Sequence, residues 1–347
     1  GSGEVVEYAV LMRRLPENRM LDRLVRRGRV NAEVLVRLAR RVAAFHAASA
    51  RGPEIDRFGS LETIRFNWEE NFAQTAPYIG RTLPRRWYEG IRRYVADFLQ
   101  NSAELFRKRV AEGRIRDCHG DLRAESVCVE DGICIFDRVE FNERFRYGDV
   151  ASEVAFLVMD LDVLGRPDLG YVFADAYIMA SGDRELRRLL PFYQCYRAYV
   201  RGKVTGFRLD QVGTEGEKLK VRRLARRYFR LAWDYARAPQ RPATVALVGA
   251  PPDIGLFLAR ALGCRLGGSL RPPSAAESIV PDLQAGIPVV IPAPELPPDF
   301  AGQLRALPAE LVVLDYRGAV RKPGQEPLGR VLNRLLGEVR ARLDRAG

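Results

Sequence analysis

The chain is short of lysine and histidine. Only five of its 56 basic residues are lysines, at 108, 203, 218, 220 and 322, which leaves 51 arginines; the histidines are His46 and His119 alone. Two histidines, and five cysteines (118, 128, 134, 195, 264) without a C-x-x-C pair, argue against a zinc site. An odd number of thiols set mostly in apolar runs reads as reduced core cysteines of a cytoplasmic protein and not as a disulfide framework. No run of about 18 uncharged apolar residues occurs, so no membrane-spanning helix is expected. Signal and lipidation motifs are missing too, and Gly1-Ser2-Gly3, with no initiator Met, resembles a cloning scar.

What is present is ordinary globular material: 347 residues, 47% hydrophobic and 29% charged, enough for about two domains with real cores. The net charge of +12 admits two explanations, contact with phosphate or nucleic acid and a codon bias towards arginine. Composition shifts near residue 239. Fifteen of the 21 prolines follow that point, while all three Trp, both His and 12 of the 13 Tyr precede it. The expected division is therefore 4–238 and 243–347, with a linker at 237–242. Neither part is a concentrated polycation, at +9 and +3.

In the first part an alternating run at 5–12 suits a strand, and Asn18 and Asn31 suit helix N-caps. Amphipathic helices are expected at 31–45, 60–74, 84–110, 171–181, 186–207 and 216–237. Between them, Ser126-Val-Cys-Val129 and Ile133-Cys-Ile-Phe136 flank Glu130-Asp-Gly132, a hairpin signal. In the last helix Val221, Leu224, Ala225, Tyr228, Ala232 and Tyr235 form an apolar stripe, opposite Arg222, Arg223, Arg226, Arg227 and Arg230. That arginine face reads as solvated, with a phosphate or membrane surface as the other reading. The second part alternates strands (244–248, 287–291, 311–314) with helices (254–262, 298–306, 328–345), a small parallel α/β sheet.

The chemistry concentrates in Asp117-Cys-His119-Gly120-Asp121-Leu-Arg123-Ala-Glu-Ser126 and, one hairpin later, Ile135-Phe-Asp137-Arg-Val-Glu140. A carboxylate on a tight His-Gly-Asp turn, with a second one 16 residues on, suits phosphoryl transfer. One Asp orients the attacking hydroxyl and takes its proton, while the other holds Mg²⁺ against nucleotide phosphates. His46 reads as a packed helix histidine. Phe192, Tyr193, Tyr196, Tyr199 and Val200 read as core, with Arg197, Arg201 and Lys203 beside them as candidates to line a pocket.

These segments resemble the aminoglycoside phosphotransferase and choline kinase superfamily, whose members share a protein-kinase-like fold. More closely, they resemble bacterial two-domain proteins that fuse such a kinase to a P-loop ATP-binding domain. His119-Gly-Asp121-Leu is similar to the family's catalytic loop, Ile135-Phe-Asp137-Arg-Val-Glu140 to its metal-binding segment, and Arg146-Tyr-Gly-Asp149 to the start of a structural helix. The resemblance implies a mostly helical α+β kinase C-lobe followed by a small α/β domain. It also implies ATP and Mg²⁺ as cofactors and a small-molecule hydroxyl as substrate. Asp121 becomes the base, with His119 and Arg123 beside it; Ser126 and Asp137 face the nucleotide, and Asp137 and Glu140 take the metal.

Three departures accompany it. Ser126 stands where kinases carry a metal-binding Asn. The run 4–16 resembles the hinge strand, so most of the N-lobe with its glycine-rich strands and lysine is expected to be absent, or supplied by a second chain or dimer mate. After Val245-Ala-Leu-Val-Gly249, Ile254, Gly255 and Leu256 fall at the Gly, Lys and Ser/Thr positions of a P-loop, so the loop is degenerate. Two function classes follow: an ATP- and Mg²⁺-dependent small-molecule kinase, or a catalytically silent pseudokinase acting as a binding or assembly module. A kinase part at +9 repels polycations, which favours a neutral or anionic sugar or alcohol. Nucleic acid is disfavoured because the basic helix lacks interleaved exposed aromatics.

Overall fold

The computed structural model describes residues 14–238, 243–273, 278–307, 309–320 and 326–345. The strand expected at 5–12 lies outside them, as does 239–242 of the linker. A turn of 3₁₀ helix (Glu17–Arg19) leads into α1 (Leu21–Arg26), which opens from Met20, so Asn18 caps nothing. α2 (Ala32–Ala48) starts as expected at Asn31, whose side chain accepts the Val34 N–H at 3.1 Å. Short α3 (Pro53–Asp56) precedes α4 (Leu61–Thr75), capped by Ser60 on the Thr63 N–H. The single helix expected at 84–110 is two, α5 (Arg85–Asn101) and α6 (Ala103–Ala111). Ser102 leaves helical geometry (φ −112°, ψ 16°) between them.

β1 (Ile115–Asp117) then opens the segment of interest, followed by β2 (Val127–Val129), β3 (Ile133–Ile135), α7 (Glu143–Arg146) and β4 (Tyr147–Asp149). β2 and β3 form the expected antiparallel hairpin, with Cys128 opposite Cys134. β1 pairs antiparallel with β4, Ile115 opposite Asp149, so residues 118–146 form a loop tied at both ends. Behind it lie α8 (Val150–Val163), α9 (Pro167–Ser181), α10 (Leu186–Phe207) and α11 (Glu215–Ala236). The core is aromatic: Phe98 and Phe192 stack at 4.6 Å, and Trp68, Phe72 and Tyr199 pack edge to face or stacked around them. α10 and α11 approach closely because Gly202 has no side chain; a Cβ there would meet the Phe229 ring at 2.9 Å. The α11 stripe is buried except at Leu224, which is 40% exposed, and the arginines opposite face solvent.

The second unit runs β5 (Ala243–Val248), α12 (Pro252–Leu266), β6 (Ser269–Leu270), α13 (Val280–Gln284), β7 (Val289–Pro292), α14 (Pro298–Arg305), β8 (Glu310–Asp315), α15 (Tyr316–Ala319) and α16 (Leu328–Leu343). Its sheet is parallel, in the order β6-β7-β5-β8. Val245, Leu247, Val312 and Leu314 bury one face against α12 and α16; Val289 and Ile291 bury the other with Leu283, Phe300 and Leu304. β6 is two residues long, too short to show a period in the sequence. The architecture is mostly helical with one small parallel sheet, the expected α+β class. No described helix is long and apolar enough to cross a membrane.

Candidate active site

The turn after β1 is sharp, and its geometry follows from residue type. Gly120 adopts φ +89°, and a Cβ there would press on the Phe145 carbonyl at 2.8 Å and on Val139, so only glycine fits. The turn presents Asp121 into a cleft. Arg123 grips that carboxylate with two parallel bonds, Nε to Oδ1 at 2.9 Å and Nη2 to Oδ2 at 2.8 Å, and also pairs with Glu125. Burial opposes the Arg123 charge, but its bonds to Asp121 more than offset this and raise its pKa. Ser126 points inward: its hydroxyl accepts the Arg123 N–H at 3.0 Å and donates towards the carbonyls of Arg123 and Asp121.

His119 ties this turn to the hairpin. Its Nε2 lies 2.8 Å from the Phe136 carbonyl and its Nδ1 accepts the Asp121 N–H at 3.3 Å. A carbonyl only accepts, so the proton sits on Nε2. His119 is thus 5% exposed and holds the backbone beside Asp137 against the backbone of Asp121. Asp137 itself takes φ +64°, where a non-glycine residue is strained by about 1 kcal/mol. It lines the same cleft as Asp121 and Glu140. Among the described residues, no hydrogen bond or ion pair engages Asp137 or Glu140, whereas most other carboxylates of the cleft are paired. Asp149 behaves as the resemblance implied: it caps α8 on the Ala151 N–H and pairs bidentately with the fully buried Arg109.

One group absent from the sequence reading organises the turn from behind. Glu153, buried in α8, accepts the backbone N–H of His119 at 3.0 Å, that of Gly120 at 2.6 Å, and His46 Nε2 at 2.7 Å. His46 Nδ1 in turn meets the Tyr177 hydroxyl at 2.8 Å. Burial works against the Glu153 charge, yet the His46 bond and the two amides hold its pKa down at about 2. His46 is packed as expected, and it also positions the loop through Glu153. The signal was available, since Glu153 is the lone charge in the apolar run 150–159, and a buried carboxylate demands partners. His46, Glu153 and Cys118 have ligand atoms within 4.8 Å of one another, but Glu153 and His46 already spend theirs on protein partners.

The cleft encloses about 1440 Å³. Asp121, Asp137 and Glu140 line it together with α10, which contributes Tyr193, Tyr196, Arg197, Val200, Arg201 and Lys203. Arg197 donates from Nε to the Ser152 hydroxyl and carbonyl (3.1 and 3.2 Å) and from Nη1 to the Gly120 carbonyl at 3.4 Å, and its guanidinium lies 4.6 Å over the Phe156 ring. At the mouth Arg144 pairs with Glu70 and lies over exposed Phe66. Lys203 donates to Gln74, and burial lowers its pKa.

Two carboxylates, one on a His-Gly-Asp turn and one beyond a hairpin, line one cleft on a helical scaffold, the arrangement expected for a phosphotransferase. Comparison agrees: residues 2–192 match the phosphotransferase enzyme family, and the chain belongs to that family. Over 257 residues it is 34% identical to an uncharacterized protein of Mycobacterium bovis and to uncharacterized proteins of two Mycobacterium tuberculosis strains. That alignment covers 73% of this chain and 50% of each relative, so the chain spans about half the length of the curated relatives it matches. No solved structure matches it.

Proposed function

We propose that residues 4–238 transfer a phosphoryl group from a nucleoside triphosphate to a small-molecule hydroxyl. The observation that carries this reading is the convergence of Asp121 and Asp137 on one cleft, fixed in register by the His119–Phe136 bond. Asp121 receives the acceptor hydroxyl and its proton once Arg123 yields one oxygen of the carboxylate. Asp137, with Glu140, fits a divalent cation: both are carboxylates without a protein partner among the described residues, and Asp137 holds a strained backbone to face the cleft. When bound there, Mg²⁺ neutralises phosphate charge. Arg123, one turn from the acceptor, adds a second cation to the reacting region.

In our reading residues 243–347 are a P-loop-like scaffold without a nucleotide site of their own. Several features support it. The Gly249 N–H is spent on the Pro294 carbonyl at 3.0 Å, and Pro251 and Pro252 offer no N–H. A Cβ at Gly249 would meet Asp315 Oδ1 at 3.0 Å, so a carboxylate crowds the place a phosphate would take.

Calorimetric titration with Mg·ATP tests the proposal. We expect binding at millimolar affinity or tighter that falls at least tenfold in Asp137→Asn. Asn tolerates the left-handed backbone, so the loss reports on charge and not on folding. Binding weaker than millimolar and indifferent to Asp137→Asn would overturn the kinase reading and leave a silent binding module. Asp121→Asn should keep nucleotide binding and cut transfer by about 10²–10⁴-fold.

A further inference from the structure

Charges of both signs line the cleft, and they are not spent in the same way. Arg146 and Arg138 both reach Asp117 at 2.6 Å, Arg144 holds Glu70, and Arg123 holds Asp121. Arg197 and Arg201, one turn apart on α10, are different. Among the described residues neither has a carboxylate within ion-pair distance. Arg197 reaches only neutral oxygens, those of Ser152 and Gly120. The Nε of Arg201 is buried without any hydrogen-bond partner, and its guanidinium carbon stands 5.8 Å over the Tyr228 ring. Asp160 acts on Arg201 only at Coulombic range, and is itself engaged by the Ala124 N–H. A second orphan donor, the indole Nε1 of Trp68, belongs to the same lining.

Two guanidinium forks without carboxylates, in a partly apolar cleft, are costly unless something answers them. The Arg201 Nε on α10 and the Trp68 Nε1 on α4 are both donors, so the group that answers them is an acceptor. The planar fork matches an oxyanion, carboxylate or phosphate, held by two parallel bonds. Arg197 also touches the Gly120 carbonyl, next to Asp121 in the chain, so an anion at Arg197 and Arg201 lies in the same cleft as the base.

We infer that the acceptor is an anionic alcohol, a hydroxyl compound bearing a carboxylate or phosphate that Arg197 and Arg201 bind while its hydroxyl faces Asp121. This rests on the phosphotransferase reading for the role of Asp121, but the anion site stands on its own geometry. It narrows the acceptor class: two arginines without carboxylates disfavour aminoglycoside-like polycations, and neutral sugars leave the charge of Arg201 unanswered.

The test is calorimetric titration of the full chain, without nucleotide, with four probes: gluconate, glucose 6-phosphate, sorbitol and glucose. The anions are expected to bind at least tenfold tighter than their neutral counterparts, and gluconate against glucose 6-phosphate shows which oxyanion fits. Arg201→Gln should lose at least tenfold in anion affinity, and Arg201→Lys should retain part of it. Because the Arg201 Nε has no hydrogen-bond partner to lose, Arg201→Gln should melt close to the parent, giving up only the contact with the Tyr228 ring and the distant attraction of Asp160, which separates a ligand role from a folding role. Arg222→Gln on the exposed face of α11 controls for the net charge and should change nothing. Equal binding of anions and neutral polyols, or anion binding untouched by Arg201→Gln, would overturn the inference. Phosphoryl transfer to a neutral alcohol that is indifferent to Arg201→Gln would overturn it while sparing the kinase reading. Arg201-dependent anion binding without Mg·ATP binding would do the reverse.

Discussion

Ser126 occupies the place of a metal-binding asparagine, but its hydroxyl makes three short contacts inside the turn that carries Asp121. Removing it strands the Arg123 N–H and takes a donor from the Asp121 carbonyl, while the Arg123 carbonyl keeps the Ser126 N–H, so Ser126→Ala should cost about 1–2 kcal/mol in urea unfolding. The same variant should leave Mg²⁺ affinity within about twofold, since the oxygen is engaged by the loop; a tenfold loss would make Ser126 a ligand after all. At this scale the sequence was informative wherever a residue's chemistry is local. Asp121, Asp137 and His119 could be picked out because a turn and a hairpin bring neighbours in sequence together. Arg123 lay two residues from Asp121 in plain view, but nothing in the spacing says that it folds back onto that carboxylate. Glu153 and Ser152 were passed over because their partners, His46 and Arg197, are 107 and 45 residues away.

Among the elements, α2, α8 and the His119-Gly120-Asp121 turn act as a unit joined by one carboxylate. Glu153 has its pKa depressed from 4.5 to about 2, so the stability it supplies is present above about pH 4.5 and is lost as pH falls through about 2. That shift is worth about 3 kcal/mol, at roughly 1.4 kcal/mol per pK unit. Glu153→Gln removes the charge that answers His46 and two amides, so it should be less stable than the parent by about that amount at pH 6. The difference should shrink as pH drops from 4.5 to 2, measured by denaturant unfolding of both proteins side by side. A difference that stays constant with pH would assign the effect to packing instead. Most helices were legible because their apolar residues recur at 3.6 and a cap is local, as at Asn31. The break at Ser102 was not, because the breakers of 84–110, Pro84 and Gly90, lie at the start and inside of α5 and not near Ser102. The exposure of Leu224 was not either, because the width of a buried stripe is set by the neighbouring helix.

At the scale of the whole molecule, the composition shift near 239 marks where the parallel sheet begins, but not how firmly that unit is held. α12 packs along α9, and its Cys264 belongs to the core of the helical part. The next residue, Arg265, donates to Asp162 of α8 from Nε at 2.9 Å and Nη2 at 2.7 Å, and Asp162 also accepts the Tyr235 hydroxyl. Sequence hinted at a boundary and missed this bond, since a charge in the apolar end of α12 finds its partner 103 residues away. Asp162 is 5% exposed, so Arg265→Leu leaves a buried carboxylate without its cation, a loss of about 3–5 kcal/mol. Because the lost bond lies between the units and not within either, the damage should appear as uncoupling. We expect the parent to melt in one calorimetric transition and Arg265→Leu in two. Arg334→Ala, which breaks an ion pair to Glu326 and a bond to the Ala319 carbonyl, both inside the small unit, should lower stability and keep one transition. Pairing Arg265→Leu with Asp162→Asn removes the stranded charge and should recover part of the coupling. If the single variant still melts in one step, the remaining links, among them the apolar contact of α9 with α12 and the bonds of Arg187 to Gly268 and of Arg340 to Arg237, suffice to join the two units.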